Sequence, residues 1–120
     1  LMCRRRKPPY RGLLNLVGGK IEPGEDGSRA AYRELEEETG ITREDIVLTH
    51  LMDFTYCLTG VYLECYVGQL RRPFEVFGDE NELLWVGVEQ DFFDLGRFAG
   101  EGNLGHILEH VRLRRDQWAR

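Results

Sequence analysis

Glu34, Glu37 and Glu38 stand at i, i+3 and i+4, a spacing that puts three carboxylates on one face of an α-helix. With Glu36 they place four carboxylates within five residues. Like charges at i, i+4 cost about 0.2–0.5 kcal/mol per pair on an isolated helix. Near a helix C-terminus the macrodipole adds to that cost. Residue sets that break local rules in this way are expected at functional sites. The natural compensation is a hard cation, because oxygen-only donors select Mg²⁺ or Mn²⁺ over zinc. A cation there draws phosphate oxygens to the helix face and activates a water. Arg33 precedes Glu37 by four residues, so its guanidinium can hold that carboxylate. Gly18 and Gly19, just upstream, let backbone approach a ligand closely. The plain alternative is a solvated acidic face on which Arg33 and Glu37 form an ordinary surface pair.

The complete pattern is longer. Gly19, Glu25, Arg33, Glu34, Leu35, Glu37, Glu38, Gly40 and Ile41 fit G-x5-E-x7-R-E-U-x-E-E-x-G-U, with U aliphatic. At average residue frequencies the chance of nine such coincidences is roughly 10⁻⁸ or less. In these 23 residues the chain resembles the Nudix (MutT-type) hydrolases. The resemblance implies an α/β/α sandwich with a mixed β-sheet, and Mg²⁺-dependent hydrolysis of a nucleoside diphosphate linked to another group. It implies that Glu34, Glu37 and Glu38 bind the metal, with the Gly18 carbonyl as a further ligand. It implies that Arg33 and Glu25 orient those carboxylates from behind, with Gly19 and Gly40 structural in the motif. A general base must take the proton of the attacking water. Glu37 or Glu38 can serve, and the family also uses a carboxylate from a later loop. Here Asp79, Glu80 and Glu82 precede Trp85, and Glu80 or Glu82 is favoured among them.

The substrate's two ends suggest further residues. Arg4, Arg5, Arg6 and Lys7 follow the first strand, and together with Lys20 they are candidates to grip a phosphate tail. The stretch Arg11 to Lys20 is similar to the strand before the motif in oxidised-purine nucleoside triphosphatases, where an Asn matching Asn15 hydrogen-bonds the base. An Asn amide offers a donor and an acceptor together. In those enzymes the region matching Phe98–Asn103 closes over the base, so Phe98 is a candidate to stack and Glu101 or Asn103 to read a polar edge. Asn103 is equally suited to cap the following helix. The resemblance therefore points to a nucleoside triphosphate such as 8-oxo-dGTP, cleaved to monophosphate and pyrophosphate. ADP-ribose and dinucleoside polyphosphates are the alternatives.

Several elements must position these side chains. Leu1 to Arg5 reads as the end of a strand, and an earlier strand is expected to be missing. The two prolines of the Lys7–Gly12 stretch mark a loop, and Leu13 to Val17 reads as a strand entering the Gly18-Gly19 turn. Asp26 or Ser28 caps a helix that runs to Thr39 and is closed by Gly40. Ile46–Tyr56 and Val61–Val67 are rich in β-formers and flank Thr59-Gly60, as in a hairpin. Leu83 to Val88 is a further strand. Leu104, Ile107, Leu108 and Val111 fall at i, i+3, i+4, i+7, the stripe of an amphipathic helix. The fold class is α/β or α+β.

Length and composition bound the rest. The 120 residues argue for one domain. Forty-two per cent hydrophobic and 31% charged residues argue against disorder. Sixteen Lys and Arg against 21 Asp and Glu give a net charge of -5, so duplex nucleic acid is not the expected partner. The apolar runs are too short to span a membrane, and there is no signal-peptide pattern. Three cysteines without a C-x-x-C pair suggest reduced thiols and a cytoplasmic location. A small-molecule nucleotide is the expected partner, with the protein a monomer or homodimer. Two competing functions remain. His106-Ile107-Leu108-Glu109-His110 matches the H-x-x-E-H pattern of inverted zinc peptidases, and the same fold can serve as a non-catalytic nucleotide-binding module.

Overall fold

The alternating residues at the start of the chain form β1 (Met2–Arg4), which pairs antiparallel with β2 (Leu14–Leu16) on one side and β5 (Glu82–Leu84) on the other. The computed structural model describes residues 1–76, 78 and 80–119; Asp79, one of the three late-loop acids, lies outside the described residues. In this sheet Cys3 is opposite both Asn15 and Leu83, so these three side chains share one face. Met2, Leu14, Leu16 and Leu84 contribute from the other face to the hydrophobic core. The segment Arg97–Ala99 runs along the outer edge of β2, with Leu14 bonded to the carbonyl of Arg97 and the amide of Ala99.

α1 (Gly27–Thr39) begins where Asp26 Oδ1 accepts the Arg29 amide at 2.8 Å, which satisfies one of the free donors of the first turn. It ends where Gly40 takes a left-handed φ of 82° and its amide bonds the Glu36 carbonyl. Fully buried Thr39 ties this end down, donating to the Leu35 carbonyl and accepting from the Ile41 amide. β3 (Thr49–Tyr56) and β4 (Val61–Val67) form the expected hairpin, with a bulge between His50 and Met52. β3 starts later than the sequence suggests. The Leu48 amide donates to the Tyr32 hydroxyl on α1, and Ile46 makes only an isolated bridge to Leu70. β5 is also shorter than expected, because its ladder to β1 runs only to the Met2–Leu84 pair.

α2 (Asn103–Leu113) carries the expected stripe, with Leu104 and Ile107 buried against Leu14, Leu51, Phe92 and Phe98. A short α3 (Arg115–Trp118), absent from the sequence reading, follows; the Trp118 indole donates to the Val111 carbonyl. The architecture is mixed α and β, as expected. The strand ladders among the described residues are antiparallel, and the parallel component of the mixed sheet is the Leu14–Phe98 bridge. None of the described helices is long and apolar enough to cross a membrane.

Candidate functional site

The acidic helix face meets the sheet at a cleft of about 410 Å³ lined by Cys3, Glu34, Glu37, Glu38, Glu80, Asn81 and Leu83. Three of its carboxylates come from α1. The fourth, Glu80, comes from the loop entering β5, where the sequence reading looked for a general base. The volume lies within the range of small-molecule sites. Cys3 and Leu83 supply the floor because they share a face of the sheet, and Asn15 is the next residue along the same row.

Arg33 organises the carboxylates. Its Nη2 and Nε donate to the two oxygens of Glu25 at 2.6 and 3.1 Å, a bidentate pairing. Its Nη1 donates to Glu34 at 3.0 Å and to Glu37 at 3.3 Å, and Nη2 also donates to the Lys20 carbonyl at 2.8 Å. Glu25, bonded to Arg33 and to the Glu22 amide, is held below the usual carboxylate range. Arg33 thus sits behind the acidic face and fixes two of its members. Glu34 lies directly over Gly19, where a Cβ would fall 2.2 Å from its carboxyl carbon. A side chain at position 19 would push that carboxyl out of its place. Glu38 accepts from the Gly18 amide at 3.0 Å. Burial, together with the charges of Glu34, Glu80 and Glu37, pushes Glu38 up to about 7 despite that bond.

Among the described residues, four carboxylates and no Lys or Arg line the cleft. The donors suit an oxygen-seeking dication, Mg²⁺ or Mn²⁺. Without one, the cleft repels the phosphates of a nucleotide.

The remaining candidates divide. Glu82 does not line the cleft. It projects from the opposite face to Leu83 and pairs with Arg4 at 3.3 Å. Arg4 is likewise on the face away from Cys3, and its Nη1 donates to the Gly12 carbonyl. Strand alternation therefore removes both Arg4 and Glu82 from the site. Arg5 returns to the Cys3 side and braces the loop through the Pro9 carbonyl at 2.9 Å. The Arg6 amide donates to Asn81. The side chains of Arg6 and Lys20 are exposed.

On the base side, Asn15 shares the cleft's face, and its side-chain oxygen accepts the Leu16 amide at 2.8 Å. Phe98 is not a stacking surface: it is 1% exposed and packs on Phe92 with ring centroids 5.0 Å apart. Its pairing beside β2 turns the ring into the core. Glu101 is engaged by Tyr10, whose hydroxyl donates to its two oxygens at 2.8 and 2.7 Å and is pushed up to about 12 by that bond. Both residues have positive φ, 68° for Tyr10 and 52° for Glu101, a conformation uncommon outside glycine. Asn103 is the first residue of α2 and does not cap it; the capping position is Gly102, with no side-chain bond. At the H-x-x-E-H stretch, the Nε2 atoms of His106 and His110 are 3.0 Å apart, while Glu109 turns to Arg112.

Sequence reasoning missed Cys3, Asn81 and Tyr10. Strand register brings Cys3 to the cleft, and the partners of Asn81 and Tyr10 lie 75 and 91 residues away. No local signal marks any of the three.

A NUDIX domain model matches residues 1–95. An ADP-ribose pyrophosphatase of Bacillus subtilis is 37% identical over 78 residues, which are 65% of this chain and 40% of that protein. An 8-oxo-dGTP diphosphatase of Haemophilus influenzae is 34% identical over 87 residues, 71% of this chain and 61% of that protein. Among solved structures, a C. elegans Ap4A hydrolase superimposes with a TM-score of 0.76 at 22% identity, covering 98% of this chain and 86% of that one. The chain spans 22–61% of the length of the curated relatives it matches.

Proposed function

The chain belongs to the Nudix family, and we propose that it is a divalent-metal-dependent hydrolase cleaving a nucleoside diphosphate linked to another group. The observation that carries this reading is the four-carboxylate cleft, with Glu34, Glu37 and Glu38 gathered opposite Glu80. Glu34, Glu37 and Glu38 hold the metal, joined by the Gly18 carbonyl. When bound, Mg²⁺ or Mn²⁺ neutralises charge on the bridging phosphate oxygens and makes a water more acidic. Arg33 is a positioning residue: it holds Glu34 and Glu37 at fixed angles and is itself held by Glu25. Glu80 is favoured as the acceptor of the water's proton. It faces the helix carboxylates across the cleft and stays outside the Arg33 network. Arg5, Arg6 and Lys20 remain the candidates for the phosphate tail.

For the substrate we favour a purine nucleoside triphosphate of the 8-oxo-dGTP type, hydrolysed to the monophosphate and pyrophosphate. Asn15 supports this reading, since it stands next to Cys3 in the row of side chains on the cleft's face of the sheet. Its amide offers a donor and an acceptor to a purine edge. The names of the relatives favour three different substrates, so the test offers all of them. Purified protein with Mg²⁺ is incubated with 8-oxo-dGTP, dGTP, ADP-ribose and a dinucleoside tetraphosphate, and products are separated by chromatography. Monophosphate and pyrophosphate from the triphosphates support the proposal. AMP from ADP-ribose alone keeps the hydrolase and replaces the substrate. No turnover with Mg²⁺ or Mn²⁺ replaces the enzyme with a nucleotide-binding module.

A further inference from the structure

A second group of metal-ligand side chains lies on the β3–β4 hairpin, apart from the acidic cleft. His50, Asp53 and Glu64 each offer one ligand atom, and these atoms all lie within 4.8 Å of one another. Two features of the chain bring them together. In a regular strand His50 and Asp53, three residues apart, would point to opposite faces. The bulge between His50 and Met52 changes this, setting His50 opposite Tyr66 and Asp53 opposite Glu64. Positions 64 and 66 share a face, so the bulge turns the imidazole onto the side of the two acids, as bulges often re-aim a side chain next to a site. The second feature is Gly27, the first residue of α1. A Cβ there would fall 2.1 Å from Glu64 Oε1, so the missing side chain leaves the space that the Glu64 carboxylate uses.

The cluster is electrostatically incomplete. Asp53 and Glu64 are directly opposed across the ladder, and like charges so placed are destabilising. His50 Nε2 bonds Asp53 Oδ1 at 2.6 Å, and Tyr66 donates to Glu64 at 2.9 Å. A tyrosine donor on a ligating carboxylate fixes its orientation, as partners around metal ligands do. Within the cluster one imidazole faces two carboxylates.

We propose that His50, Asp53 and Glu64 bind a first-row transition-metal dication, such as Zn²⁺ or Co²⁺, at a site separate from the acidic cleft. One imidazole nitrogen with two carboxylate oxygens favours such ions over Mg²⁺, which takes oxygen ligands and keeps much of its water. Tetrahedral ligands at about 2.0–2.2 Å from a metal lie roughly 3.3–3.6 Å from one another. His50 and Asp53 are exposed and Glu64 is half-buried, so rotation about side-chain bonds opens the 2.6 Å His50–Asp53 contact and brings the three ligand atoms to that spacing. Water completes the coordination. The site sits by the first residue of α1, about 15 Å along the helix from Glu37 at 1.5 Å per residue.

The test titrates Co²⁺ into the whole chain with Mg²⁺ in large excess to occupy the acidic cleft, and follows the visible absorption of the bound ion. One equivalent of Co²⁺ binds and Zn²⁺ displaces it; His50→Gln and Glu64→Gln each weaken binding at least tenfold. Thermal midpoints in chelator check that the variants fold. The wild-type protein gives an independent reading by NMR: Zn²⁺ perturbs the imidazole signals of His50 before those of His106 and His110. Cobalt uptake that Mg²⁺ suppresses, or that both substitutions leave unchanged, overturns the proposal. So does zinc that perturbs the α2 histidines first.

Discussion

The carboxylate region and the base-side region differ in how far along the chain their partners lie. Arg33 finds Glu25, Glu34, Glu37 and the Lys20 carbonyl within 13 residues of itself. Tyr10 and Glu101 are 91 residues apart, and Asn15 is brought near Ala99 only by the pairing of Arg97–Ala99 with Leu14. In the first region one helix and one loop set the spacing, so side-chain positions follow from residue order. In the second, position depends on which edge of β2 a distant segment chooses and which way its rings turn. Short-range order therefore sets the three helix carboxylates of the cleft, and long-range packing sets Glu80, the sheet floor and the base-side candidates.

The strongest test of this contrast is to neutralise the cleft. Glu37→Gln and Glu38→Gln are each expected to lower kcat by about 10²-fold or more, the scale of losing a group that acts in the transition state. Circular dichroism and thermal midpoints should show the fold retained, since removing one carboxylate from the cluster relieves repulsion. Wild-type rates in both variants would remove the acidic face from the chemistry. On the base side, Phe98→Ala should act quite differently. The ring is 1% exposed, and truncating a buried Phe costs about 3–5 kcal/mol. Chemical denaturation should find that loss in the absence of any nucleotide. A raised KM with unchanged stability would return Phe98 to the base pocket and erase the distinction between the two regions.

Arg33→Ala sharpens the comparison within the carboxylate region. Removal of residues that orient metal ligands commonly costs 10- to 100-fold in affinity or activity. The expected result is a kcat loss of that size with a weaker apparent Mg²⁺ affinity. Arg33→Lys should recover only part of it, because an ammonium cannot make the two-point pairing with Glu25. A purely structural Arg33 would lower the thermal midpoint and leave the Mg²⁺ dependence of the rate untouched.

The same contrast explains what could be read in the chain. The Asp26 cap, the Gly40 terminator, the α2 stripe and the Arg33–Glu37 pairing are local, and each is found where residue order places it. Gly19 is legible as a glycine the motif requires, but its reason, the Glu34 carboxyl lying over it, is tertiary. Glu80 and Glu82 look equivalent in sequence. The register of β5 against β1 separates them, sending Glu82 to Arg4. Phe98 is an aromatic residue beside a polar loop, a description that fits a stacking platform and a core residue equally. Only the docking of its segment along β2 decides between them. The bulge after His50 has no signature of its own, and with it went the chance of foreseeing that His50 and Asp53 share a face.

The smallest effect expected is thermodynamic, and it bears on the cleft without any substrate. Glu38 is pushed up to about 7, first by burial and then by the charges of Glu34, Glu80 and Glu37. In the unfolded chain the same carboxyl titrates near 4.3. Between these values the folded protein keeps a proton that the unfolded chain has lost. Stability therefore falls as pH rises through that window. Below about pH 4 both states are protonated at this position, and the penalty vanishes. Above about pH 7 it is complete. In metal-free buffer the thermal midpoint should thus be lower at pH 8 than at pH 5.5. Glu38→Gln should flatten that dependence, and millimolar Mg²⁺ should reverse it by binding the ionised cluster of the folded state. Asn15→Ala, on the base side, should leave the slope as it is in the wild type. If the slope survives in Glu38→Gln, the charge that governs it lies outside the cleft, and the repulsion that the helix face is expected to store is screened by water.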